Sequence, residues 1–153
     1  MIVKDLLDQA DHLAKRSPKK PRQADLKRAI SSTYYAVFHA LCGMNSDALI
    51  GTGSARSDKA WAQVYRAVDH GQAKNRCKLA QDKDFPDPIK NFANAFTNLQ
   101  ERRHRADYDP NVSEKRSEVL NLVSIARNAV SGLAAVPVRE RRAFAAFILL
   151  PMR

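Results

Sequence analysis

Apolar residues recur at steps of three and four along most of this chain, and no useful length of it alternates apolar with polar residues. A helix turns once in about 3.6 residues, so such spacing lines apolar side chains on one stripe; a half-buried strand needs a period of two. The clearest stripe begins at Ile89 and passes through Phe92, Phe96 and Leu99. Val3, Leu6, Ala10 and Leu13 give a first amphipathic helix over residues 3–16, stopped by Pro18 and Pro21. A second is expected from Gln23 to Cys42, with Leu26, Ile30, Tyr34, Val37 and Leu41 inward. Gly43, Gly51 and Gly53, with Asn45, Ser46 and Ser54, then read as a loop. Ala60, Trp61, Val64, Tyr65 and Val68 carry a third helix closing near Gly71, and residues 72–85 read as a short helix and a turn. Pro86 and Pro88 suit the first turn of a fourth helix that runs to about Ala106. Asp109-Pro110 breaks it, and Ser113 offers an N-cap for a fifth helix built on Val119, Leu122, Ala126, Ala129 and Leu133. Val138 to Leu150 forms a last segment through Phe144, Phe147 and Ile148. The expectation is an all-α chain: a single domain over residues 1–153, folded as an up-down bundle of four to five main helices plus a short C-terminal helix.

Composition narrows the function classes. Hydrophobic residues at 44% and charged residues at 27% describe a chain that can bury a core, not a disordered one. Lys plus Arg outnumber Asp plus Glu by 26 to 16, a net charge of +10 that favours polyanionic partners, RNA or DNA first and acidic proteins second. A merely solubilising basic surface is the plainer reading of the same charge. Cys42 and Cys77 are isolated, which disfavours a disulfide scaffold and fits a reducing cytoplasm. There is no GxxxxGK[ST] and no His/Cys/carboxylate group at ligand spacing, so neither a metal nor another cofactor is expected. The start, Met1-Ile2-Val3-Lys4-Asp5, lacks the order of a signal peptide, and the apolar run Ala143 to Leu150 is too short to cross a bilayer.

The residue that breaks the pattern is Arg103. It occupies the next position on the Ile89–Leu99 stripe, inside Arg102-Arg103-His104-Arg105-Ala106-Asp107-Tyr108. A guanidinium turned toward a bundle core costs several kcal/mol unless oxygens meet it. Asp107 lies four residues on and shares its side of the helix, while Tyr108 adds a phenol at the helix end. Two readings stand side by side: an Arg103–Asp107 pair that stitches the helix end to its neighbours, or an anion site that matches phosphate oxygens. On the second helix Ser31, Tyr34, Tyr35 and His39 put hydroxyls, rings and an imidazole within two turns, as a polar site or as satisfied core groups. Lys15, Arg16, Lys19, Lys20, Arg22, Lys27 and Arg28 face only Asp25 as counter-charge, and form either a solvated loop or a phosphate-tracking rim.

The stretch RAISSTYYAVFHAL from Arg28 together with RHRADYDP from Arg103 resembles the HEPN superfamily of prokaryotic helical proteins. The resemblance extends through Trp61-Ala62-Gln63-Val64-Tyr65-Arg66, Asp69-His70-Gly71 and Glu140-Arg141-Arg142-Ala143-Phe144. It implies a helical bundle that dimerises and works around RNA, as a metal-independent ribonuclease toxin, a partner of a small nucleotidyltransferase, or a non-catalytic RNA-binding relative. Catalytic members carry an arginine followed, after four to six residues, by a histidine. Here Tyr108 fills the histidine slot after Arg103, and His104 follows Arg103 directly. The pattern is that of the Ala-Asp-Tyr branch. Tyr108 is a poor base, since a phenol near pKa 10 stays protonated at neutral pH.

The reading that follows is recognition of RNA or a nucleotide-type anion in a toxin–antitoxin or defence-type system, with weak or no nuclease activity. Arg28, Tyr34, Tyr35, His39, Arg102, Asp107 and Tyr108 are the candidate binding residues, with Arg103 and His104 as the candidate catalytic pair. One alternative is a ribonuclease toxin in which His104 or His39 replaces the missing base. Another is a non-enzymatic partner of a nucleotidyltransferase or antitoxin. A cytoplasmic homodimer without membrane contact is expected throughout.

Overall fold

The computed structural model describes residues 2–153. They form α1 (Ile2–Lys15), α2 (Gln23–Ile50), α3 (Asp58–Tyr65), α4 (His70–Ala80), α5 (Asp87–Tyr108), α6 (Arg116–Ala135) and α7 (Val138–Leu149), with no strand among the described residues. The protein is an all-α helical bundle, as the apolar spacing requires. α2, the longest helix at 28 residues, packs against α1, α3, α5, α6 and α7, while α4 leans on α5 and α7. Leu26, Ile30, Tyr34, Val37 and Leu41 on α2 are all fully buried, as are Ile89, Phe92 and Phe96 on α5. Phe144 and Ile148 bring α7 into the same core. On α1 the most deeply buried positions are Leu7, Ala10 and Ala14, with Val3, Leu6 and Leu13 packed at the margin. No single described helix is long and apolar enough to cross a membrane, and α6 and α7 meet at a bend of 115°.

Four local expectations are corrected. Residues 43–50 are helical rather than looped, because α2 continues to Ile50. Asn45 and Ser46 are buried there, and Ser46 Oγ donates to the Trp61 carbonyl at 3.0 Å, so tertiary packing overrides the loop-like composition. The helix ends at Gly51, whose φ of 107° is the kind of backbone that suits glycine. α3 stops at Tyr65 rather than running on through Val68. α4 then begins at His70, capped by Asp69, whose Oδ1 accepts from Gln72 N at 2.8 Å. α5 continues two residues past Ala106, so Tyr108 is its last residue. α6 starts after Lys115, and no side chain, that of Ser113 included, caps it. Arg116 instead secures that end, donating through Nε to the Ala14 carbonyl at 2.9 Å and through Nη2 to that of Ser17. It thereby satisfies carbonyls at and beyond the C-terminal end of α1.

Candidate anion-binding site

The apolar stripe of α5 carries Arg103 into the bundle. Its side chain is only 16% exposed, although it ends in a full charge. The guanidinium carbon lies 5.0 Å from the centre of the Tyr34 ring and 5.8 Å from that of Tyr35, so α2 supplies two aromatic faces to hold the cation. Nη1 meets Asp107 Oδ2 at 3.4 Å, a long contact, and Nε is buried with no partner at all. Asp107 is in turn braced from α2, its Oδ1 accepting from Ser31 Oγ at 2.6 Å. The single carboxylate leaves most of the five guanidinium donors free of protein acceptors.

The third wall is a histidine. Tyr34, fully buried, bonds through its hydroxyl to Nδ1 of His70 at 2.6 Å. The His70 ring stacks on Phe38 at 3.9 Å and meets Tyr35 edge-on at 6.1 Å. Gln100 fixes the start of α4 to α5 by donating to the His70 carbonyl at 3.1 Å. Burial holds the Tyr34 phenol well above the usual range, although the Arg103 charge opposes it. Burial lowers the His70 pKa, and Arg103 lowers it further. Both groups are therefore neutral at pH 7. The Tyr34 hydroxyl and Nδ1 share one hydrogen bond, and the other ring nitrogen, Nε2, has no partner in the chain and is not sealed off from solvent.

Comparison of the chain with protein-family models, with curated proteins and with solved structures gave no match.

The candidate residues read from the sequence divide into four groups. Arg103, Tyr34, Tyr35 and Asp107 come together as described, and exposed Arg28 lies one turn before Ser31 on α2. Arg102 points to another task. Its Nη2 pairs with Glu114 Oε2 at 2.8 Å, and that carboxylate is almost fully buried. With the Gln23 side chain bonded to the Glu114 backbone on both sides, this pair fixes the segment between α5 and α6. His104 and Tyr108 lie exposed, ring against ring at 4.9 Å, and the His104 side chain makes no hydrogen bond or ring contact with Tyr34, Tyr35, His70 or Asp107. His39 is turned to Tyr65, whose hydroxyl meets its Nδ1 at 2.6 Å, and lines a separate cavity. Burial alone lowers its pKa, with no contribution from Arg103.

Sequence reasoning did not single out His70 as a site residue. The signal was present: Asp69-His70-Gly71-Gln72 has the Asp-x-x-Gln pattern of a capping box, which places His70 in the first turn of a helix. That its partner is Tyr34, 36 residues away, has no local signature. Among the described residues there is no cluster of His, Cys, Asp and Glu fit for a metal ion.

Proposed function

We propose that this chain is a HEPN-type helical protein that binds RNA or a nucleotide-type anion through Arg103, with little or no nuclease activity. Arg103 itself carries the reading: a cation held over two phenol rings, incompletely paired, at the polar end of an apolar stripe. A phosphate there would accept from the guanidinium, and exposed Tyr35 offers a face on which a base can stack. Arg28 and Arg105, both exposed, add positive charge on α2 and α5, and the net charge of +10 draws a polyanion toward the whole surface. The cytoplasmic, dimeric and toxin–antitoxin parts of the proposal rest on the resemblance of RAISSTYYAVFHAL and RHRADYDP to that superfamily.

The ribonuclease alternative draws on the same neighbourhood, with His70 as the imidazole in place of His104 or His39. Cleavage without a metal needs a base for the 2′-hydroxyl proton. His70 is braced through Nδ1 on the Tyr34 hydroxyl, which leaves Nε2 as its open nitrogen. Tyr108 in place of a histidine after Arg103 favours binding over cutting.

Incubation of the purified protein with total RNA, followed in parallel by gel and by fluorescence anisotropy, tests the proposal. Intact RNA, bound with an affinity that falls steeply between about 50 and 200 mM salt, is the expected result. Cleavage that disappears in both Arg103→Ala and His70→Gln would transfer the site to the ribonuclease reading. Absence of salt-dependent binding would remove it altogether.

A further inference from the structure

A cavity of about 310 Å³ opens between the start of α1, the C-terminal half of α2, the end of α3 and the facing ends of α6 and α7. Met44, Val130 and Leu133 make part of its wall apolar, and its polar lining comprises His39, Asp47, Tyr65 and Arg141. Arg141 and Asp47 both face this space, yet they form no ion pair with each other. Arg141 Nε is buried without a partner. Asp47 uses only Oδ1, which accepts from Trp61 Nε1 at 2.9 Å. Two opposite charges thus line one small pocket without pairing, so a guest in it can meet a donor and an acceptor.

The aromatic side of the pocket is held rigid. Tyr65 stacks on Trp61 at 5.1 Å and is tied to His39 at 2.6 Å. Gly43, inside α2, leaves this wall open: a Cβ there would stand 3.9 Å from Tyr65 Cε2, in the space beside the ring. Glycine in a helix interior is otherwise unfavourable, so its place at the cavity wall is consistent with keeping that space clear.

We propose that this cavity is a nucleobase pocket for guanine, with Asp47 accepting from the N1–H and N2 amino group and Arg141 donating to O6 and N7. Arginine against O6 and N7 is the commonest specific contact to this base. Guanine is the purine whose Watson–Crick edge offers adjacent donors to a carboxylate; adenine offers the bare N1 acceptor there. His39 and Tyr65, bonded to each other, form one aromatic wall beside the base. The pocket is separate from the Arg103 site, and a nucleoside without phosphate suffices to test it.

Trp61 is the one tryptophan in the sequence, and it touches both Tyr65 and Asp47, so its fluorescence reports occupancy through these two lining residues. Guanosine, inosine and adenosine are titrated into the full chain. Guanosine is expected to give a saturable change, inosine a weaker one, and adenosine binding at least about tenfold poorer than guanosine. Arg141→Gln and Asp47→Asn should each weaken guanosine by about tenfold or more. Asparagine keeps an acceptor for Trp61, so the second variant tests charge rather than folding. Gly43→Leu, with helicity checked by circular dichroism, should abolish binding by filling the pocket. A saturable response equal for adenosine and guanosine, no saturable response to guanosine, or guanosine binding unmoved by both charge substitutions would overturn the assignment.

Discussion

Arg103→Met separates a residue retained for stability from one retained for a ligand. Methionine follows the same path along the α5 stripe but carries no charge into the bundle. Three interactions disappear. The cation over Tyr34 and Tyr35 contributes about 1–2 kcal/mol at this degree of burial. The i, i+4 contact to Asp107 at 3.4 Å adds about 0.3–0.5 kcal/mol. Against these stands the buried, unpartnered Nε, whose lost hydration costs about 1–3 kcal/mol. Asp107 keeps the Ser31 hydroxyl as a donor, so the substitution leaves no bare charge behind. The sum lies within about 2 kcal/mol of zero, which for a chain of this length is a melting shift within about 8 °C. RNA binding should change far more: the slope of log affinity against log salt should drop by about one, the loss of one phosphate contact. Urea denaturation and anisotropy titrations at several salt concentrations measure both quantities on the same preparation. Destabilisation beyond about 3 kcal/mol with an unchanged salt slope would show that Arg103 is a structural clamp, and the reasoning would fail.

Arg102 should behave in the opposite way. Arg102→Met strands the Glu114 carboxylate, which is 3% exposed, and is expected to cost about 3 kcal/mol in urea denaturation. Its effect on the salt slope of RNA binding should be small, because Arg102 is spent on Glu114 rather than on a ligand. The histidines predict a pH response. His39 and His70 both have pKa values pushed down from 6.5 by burial, so the unfolded chain takes up protons that the folded chain refuses. Stability should therefore be highest above about pH 6.5 and fall as the pH drops below it. A His39→Gln/His70→Gln double variant, melted across the same range, should show a shallower decline between about pH 7 and 5.5. Cys42 and Cys77, buried and pushed up to about 12, should resist a thiol reagent at pH 7 until the protein unfolds.

Where each segment's own residues decide its conformation, the fold was legible in advance. Ile89, Phe92, Phe96 and Leu99 announce the buried side of α5 because nothing in that segment competes with the stripe. The same stripe gives Arg103 its interest, since its place in the periodicity fixes its direction. The stretch from Gly43 to Ile50 misleads because its helix is held from outside, by Trp61 bonded to Ser46 and Tyr65 beside Gly43. The site is legible only in halves. Spacing puts Arg103 beside Asp107 and Tyr34 beside Tyr35, but it cannot bring α4 to α2. His70, His39 and His104 look equivalent as letters. Their distinct surroundings arise from helices that meet only after the chain has folded back on itself.

The span from Gly51 to Ser57 is almost wholly exposed and joins α2 to everything that follows it. A protease cut there would leave α1–α2 as one fragment and α3–α7 as the other, with the most deeply buried surface of α2 shared between them. Neither half can cover its oily side alone, so the two pieces should cling together after nicking and recombine when mixed. The same joint is accordingly a natural place to split the chain into a complementing pair or to seat a fluorescent insert.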